Sequence, residues 1–125
     1  MTQAAAIETI ARPYAKAAYA VAKRLQAVPG WQQRLEVLAL CVQDSKMQRI
    51  IQHPAISAET LLTTCLACTK SQDDNEWVRF VSLLVARKRL VMATAIARGF
   101  AALKAAEEDI INVTIETPVV LADDY

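Results

Sequence analysis

Glycine is nearly missing from this chain. Two glycines in 125 residues exclude the glycine-rich loops that cradle phosphates in nucleotide-binding proteins. Histidine is scarcer still, at one, and cysteine stands at three. So few thiols make no disulfide scaffold and suit a reducing cytoplasm. No apolar run approaches the ~20 residues of a membrane span. Neither sign of charge is in excess: 14 Lys and Arg face 13 Asp and Glu, for a net charge of +1. The charges are interspersed, and without a basic stripe or acidic tail nothing points to nucleic acid or anionic lipid as the main partner. Met1 to Glu8 carries no basic n-region and no Arg-rich presequence, so no signal for secretion or organelle import is visible. What the chain has in quantity is apolar surface, 54% of its residues. That is enough for one folded domain burying roughly two-thirds of its unfolded surface.

The hydrophobic spacing predicts six helices. The first runs from about Thr9 to Ala27, with Pro13 in or just before its first turn, where a missing N–H costs little, and with Pro29-Gly30 as its break. Its wheel puts Ile10, Tyr14, Ala17, Ala18, Val21 and Leu25 on one face. The second carries the stripe Trp31, Leu35, Leu38 and Val42. Asp44 or Ser45 caps a short third helix through Met47, Ile50 and Ile51, which Pro54 ends. Ser57 caps the fourth, through Leu61, Leu62, Cys65 and Leu66, and a polar loop from Lys70 to Asn75 follows. Asp73 or Asp74 caps the fifth, whose apolar residues Trp77, Val78, Phe80, Val81, Leu83, Leu84 and Val85 cover more than half its circumference. Such a helix is central in a bundle or flanks an interaction surface. The sixth, from about Leu90 to Ala106, presents Met92, Ile96, Phe100 and Leu103.

After it the period changes to two. Ile111, Val113 and Ile115 alternate with Asn112, Thr114 and Glu116, which reads as a strand closed by Pro118. A lone strand is unstable, so the chain reads as a fragment lacking the region that would pair with it. The expected organisation is therefore an all-α, six-helix bundle over residues 1–106. A short C-terminal β-strand or extended tail over 107–125 then opens a truncated C-terminal region.

No constellation of catalytic type emerges. Cys65-x-x-Cys68 resembles a redox dithiol, but Cys65 falls about two turns into its helix, away from the N-terminus that would lower its pKa. A zinc site would need two further ligands, and nothing in the spacing brings Cys41 and His53 together. Both cysteines of the motif read as packing residues. His53 lacks an evident nucleophile or orienting carboxylate and reads as a helix-end residue bonding the last carbonyls. Arg87-Lys88-Arg89 reads as a solvated helix terminus. Glu107-Glu108 and Asp123-Asp124 are sequence neighbours, not the facing carboxylates of acid–base chemistry. No catalytic residue, cofactor or metal is expected. On the fifth helix Trp77, Phe80, Val81 and Leu84 point inward, while Glu76, Arg79, Leu83 and Ala86 form an adjacent arc. With Ile10, Tyr14, Ala17 and Val21 on the first helix, that arc would bound a shallow apolar groove fit for a partner helix.

The run Ala11-Arg-Pro-Tyr-Ala-Lys-Ala-Ala-Tyr19 resembles the opening R-[PY]-Y-A-x-A-[LF] signature of the ATP synthase δ subunit family, called OSCP in mitochondria. Trp31 after a short turn, and Phe80-Val-Ser-Leu-Leu-Val-Ala-Arg-Lys-Arg-Leu90 beside the family's N-F-[IL]-x-L-L-x-E-N-x-R-L, extend the likeness. So does Glu108-Asp-Ile-Ile-Asn-Val-Thr-Ile115 beside its E-x-x-V-x-V-x-[IV] strand. The resemblance implies a non-catalytic stator subunit, peripheral on the cytoplasmic side of the bacterial inner membrane, joining the α3β3 head to the stalk. It further implies that the first and fifth helices receive the N-terminal helix of an α subunit. Tyr14, Ala17, Arg79 and Leu83 fall on matched positions of that surface. The b subunits would bind through the missing C-terminal region. Arg79 stands where the family usually has Asn, and Ala86-Arg87-Lys88 replaces its Glu-Asn, which alters the polar contacts and keeps the apolar ones. A helical adaptor for some other amphipathic helix is the rival reading, and a small redox or metal enzyme built on Cys65 and Cys68 a weaker third.

Overall fold

In the computed structural model, residues 3–70 and 74–124 are described, with side chains for 6–70 and 74–109. Six helices follow one another: α1 (Gln3–Arg24), α2 (Val28–Gln43), α3 (Ser45–Gln52), α4 (Ala58–Thr69), α5 (Asn75–Ala86) and α6 (Ala93–Asp124). A single 3₁₀ turn, Leu90–Met92, leads into α6. The all-α expectation holds.

The caps are those that the sequence announces. Asp44 accepts from the N–H groups of Lys46 and Met47 at the start of α3, Ser57 from Thr60 at α4, and Asp74 from Trp77 at α5. Each satisfies a donor that the helix itself leaves open. Of the expected Lys70–Asn75 loop, residues 71–73, and with them the alternative cap Asp73, lie outside the described residues.

Three expectations need correction. Helix α1 begins at Gln3 and ends at Arg24, so Pro13 is interior; the proline removes one intrahelical donor, and the alanine-rich turns around it carry the helix through. Pro29-Gly30 does not separate the first two helices but opens the second, with Pro29 in its first turn, where its fixed φ suits a helix start. The break falls at Gln26, in the left-handed region at φ 55°. There Ala27 N–H bonds Ala22 O and Gln26 N–H bonds Lys23 O, the paired closure of a Schellman motif. Third, the backbone is helical through 111–115, where the alternation predicted a strand. A strand's N–H and C=O groups need a neighbouring strand. Among the described residues there is none, and a helix satisfies the same groups internally. Helix α6 accordingly crosses residues 106–107 without a break.

The core forms where α6 lies against α1 and α2, with α4 and α5 closing the far side of α2. Among its described residues, α1 contributes only alanines to the fully buried core, Ala11, Ala15, Ala18 and Ala22, with Ile7, Tyr14, Tyr19 and Val21 packed partly buried against it. That small stripe allows a close approach, and a Cβ on Gly99 of α6 would stand 2.9 Å from Ala15 Cβ. Beside it Tyr19 meets Phe100 edge-on, with ring centroids 5.3 Å apart. The α2 stripe Trp31, Leu35, Leu38 and Val42 is buried as its spacing predicts. Trp31 packs perpendicular to Trp77 of α5 at 5.2 Å and against Phe80 at 5.8 Å. Trp77 also donates to Thr69 Oγ1 at 3.2 Å, tying α5 to the end of α4.

Candidate partner-binding surface

Helix α1 has three distinct sides. The alanine stripe faces the core. One flank turns toward α6. The other flank carries Ile10, Tyr14, Ala17 and Val21, with Leu25 just past the helix end. Only Ala18 of the face grouped by the sequence wheel is buried. Ile10 keeps 38% and Leu25 42% of its surface exposed, Ala17 is exposed, and Tyr14 and Val21 are half-buried.

Helix α5 divides likewise. Trp77, Phe80, Val81 and Leu84 are buried. On the neighbouring arc Arg79 and Ala86 are exposed, and Leu83 retains 38% exposure. The wide apolar surface that singled out this helix therefore resolves into a core arc and one accessible leucine at its edge.

Side chains link the two helices. At one end Arg24 of α1 reaches Glu76 of α5 at 3.5 Å, and Arg79 also leans on Glu76, at 3.8 Å. At the other end the Tyr14 hydroxyl meets Arg87 and Arg89, just past α5. The Arg87 hydrogen bond, which favours the phenolate, holds the Tyr14 pKa below its ordinary value against the opposing effect of burial. These two links, about 15 Å apart along α1, make α1 and α5 antiparallel. Helix α5 packs chiefly on α4 and the 3₁₀ turn, and α1 on α6 and α2. Outside their core faces, α1 leaves Ile10, Tyr14, Ala17 and Val21 exposed or half-buried, and α5 leaves Arg79, Leu83 and Ala86 exposed.

Two recesses lie elsewhere. One of about 440 Å³ sits on the opposite flank of α1, between Arg12, Ala15 and Lys16 and the α6 residues Arg98, Gly99 and Leu103. Glu8–Arg98 at 3.5 Å and Lys23–Glu107 at 2.7 Å tie these helices at two heights, so α1 and α6 run in the same direction. The other, about 410 Å³, opens between α2 and the end of α4 at Arg34, Val37, Cys68 and Thr69.

The chemical lures of the sequence resolve differently from one another. Cys65 is fully buried, and burial pushes its thiol up to about 12, the reverse of an activated dithiol. His53 does cap the end of α3, yet its Nδ1 accepts from Ala55 N–H at 3.1 Å rather than its ring donating to the last carbonyls. Among the described residues no group of three or more His, Cys, Asp or Glu is placed to hold a metal ion. Nor is any helix among them long and apolar enough to cross a membrane. Arg87 and Arg89 are not merely a solvated terminus, since both engage Tyr14. Sequence reasoning missed that link, because it depends on Lys88 turning the chain back through the left-handed region at φ 57°. The available signal was a helix end with no glycine to make the turn.

The family profile described as ATP synthase delta (OSCP) subunit matches residues 10–125. An ATP synthase subunit delta from Methylobacillus flagellatus is 34% identical over 115 residues, 92% of this chain and 65% of that protein. Proteins of the same name from Chromobacterium violaceum (29% over 116 residues, 93% and 65%) and Hahella chejuensis (34% over 100 residues, 80% and 56%) are similar. The chain thus spans 65% or less of the length of these relatives.

Proposed function

Because the chain belongs to the ATP synthase delta (OSCP) subunit family, we propose that it works as a non-catalytic stator component of an F-type ATP synthase. In this reading it sits peripherally on the cytoplasmic side of the inner membrane and takes the N-terminal helix of an α subunit into the strip between α1 and α5. Residues 1–106 form the head-binding unit. Contacts with the b subunits belong to the C-terminal part of family chains. A stator holds the α3β3 head still while the central shaft turns, so that torque reaches the catalytic sites.

The observation that carries the reading is the pair of margins on α1 and α5. They present Ile10 and Leu83 to solvent and are bridged by the Arg24–Glu76 ion pair. A partner helix burying four large apolar side chains gains about 6–12 kcal/mol gross. Association costs about 4–15 kcal/mol, and nanomolar affinity needs about 12 kcal/mol net. Apolar burial therefore needs polar help, for which Arg79 is the candidate. Its side chain is 78% exposed and its link to Glu76 is long, leaving it free to meet a carboxylate of the partner.

The test is Leu83→Asp with a fluorescently labelled α N-terminal peptide, read by anisotropy. Trp31 and Trp77 are sealed in the core and would report poorly on the strip. Completing the burial of Leu83 is worth about 1 kcal/mol, and an unpaired carboxylate in its place costs about 1–3 kcal/mol more. Affinity should fall at least about tenfold while the circular dichroism stays the same. Unchanged affinity would remove Leu83 from the site.

A further inference from the structure

Helices α2 and α4 pack against each other, and their contact joins two thiols far apart in sequence. Cys68 of α4 lies near enough to Cys41 of α2 to help burial push the Cys41 thiol up. The α2 row Arg34 and Val37 borders the recess in front of Cys68, and Cys41 is the next position of that row, one turn on. Cys68 is exposed, Cys41 half-buried, and Cys65, one turn before Cys68, is buried. The sequence pairs Cys65 with Cys68; the packing pairs Cys68 with Cys41.

We propose that Cys41 and Cys68 are a disulfide-forming site: exposure to a low-molecular-weight disulfide of the glutathione type joins them and staples α4 to α2. Cys68, the exposed thiol, reacts first. Its thiolate attacks one sulfur of the small disulfide, forming a mixed disulfide and releasing one small thiol. Cys41 then gives its proton to solvent and attacks Cys68 Sγ, which breaks the mixed disulfide and expels the second small thiol. The protein loses two hydrogens and two electrons, and one small disulfide becomes two thiols. The order matters because burial and the neighbouring Cys68 push the Cys41 thiol up to about 11, which makes it a poor first attacker. Once Cys68 carries the mixed disulfide, the contact supplies Cys41 at high effective concentration. Cys65 stays outside the reaction because it is sealed and because a bond to Cys68 would join two turns of one helix.

The experiment incubates this chain with excess oxidised glutathione, alkylates the remaining thiols and maps the digest by mass spectrometry. The expected product is lighter by two hydrogens, joins the peptide containing Cys41 to the one containing Cys68, and is reversed by dithiothreitol. Cys65 and Cys68 share a tryptic peptide, with no Lys or Arg between Arg49 and Lys70. Cys65→Ser therefore identifies the bridged residue, and it should form the bridge as wild type does. Cys41→Ser should stop as a glutathione adduct on Cys68. A stable adduct on Cys68 of the wild-type chain with Cys41 alkylated, a bridge lost in Cys65→Ser, or no oxidation at all would overturn the proposal.

Discussion

Gly99→Ala opposes two effects of similar size, and the geometry decides between them. In an isolated helix the change stabilises by about 0.8–1 kcal/mol, since glycine loses more backbone freedom than alanine. In this protein the new Cβ lands 2.9 Å from Ala15 Cβ, against the ~3.5–4.0 Å of a comfortable carbon contact. Neither methyl group can rotate away, because each is fixed to a helix backbone. The axes of α1 and α6 must part locally by about 0.5–1 Å, loosening the alanine stripe and the Tyr19–Phe100 contact beside it. Overpacking of this kind costs about 1–3 kcal/mol, so the net change should be destabilising by about 1 kcal/mol. Urea titration followed through the buried Trp31 and Trp77 measures it. The diagnostic result is the coupling. In an Ala15→Gly background the clash is absent, and the same Gly99→Ala change should stabilise by about 1 kcal/mol, a coupling of about 2 kcal/mol. If Gly99→Ala stabilises the wild-type chain and shows no coupling to residue 15, the close approach of α1 and α6 is wrong.

Other consequences follow from the helix ends. Lys88 sits at φ 57° and closes a Schellman turn, with Arg89 N–H on Leu84 O and Lys88 N–H on Val85 O. A left-handed conformation costs a residue with a Cβ about 1–2 kcal/mol, so Lys88→Gly should raise stability by about 0.5–1 kcal/mol in chemical denaturation; a loss would mean the turn is closed differently. Asp74 caps α5 and pairs with Arg34 of α2. Burial raises its pKa, but the Arg34 and Trp77 N–H hydrogen bonds outweigh it and hold the carboxyl below the 3.8 of a free aspartate. A lowered folded pKa adds stability above the unfolded value and loses it as pH falls through the folded one. Asp74→Ala should therefore cost about 1 kcal/mol at pH 7, and its gap to wild type should close as the pH drops below 3.8. A gap that persists in acid would show that the carboxylate charge is not involved.

Much of this architecture was legible because local chemistry decides it. Asp44, Ser57 and Asp74 cap the helices their positions announce, and the stripe Trp31, Leu35, Leu38 and Val42 buries the face its spacing predicts. The misreadings share a cause, since each depends on what lies next to a segment in space. Alternation at 111–115 predicts a strand, but alternation supplies only a face, not a partner for the backbone. Pro29-Gly30 reads as a break, although proline starts a helix as readily as it ends one, and the turn was made by Gln26 instead. On α1 the wheel groups Ala18 with Tyr14 and Val21, while the fully buried residues among those described are all alanines. Small residues give a weak hydropathy signal even when they let two helices approach closely. The seven residues chosen for partner binding stay exposed or half-buried because their spacing tracks an arc beside the core on each helix. The Cys41–Cys68 contact left no mark in the sequence, as it joins faces of two helices whose packing no local pattern specifies.

The central claim is that a partner helix lies between α1 and α5, and amide chemical-shift mapping during titration with an α-subunit N-terminal peptide tests it most directly. Shifts should concentrate at Ile10, Tyr14, Ala17 and Val21 and at Arg79, Leu83 and Ala86, with Arg98 and Leu103 of the α1–α6 recess unmoved. Shifts confined to that recess, or none at saturating peptide, would contradict the account.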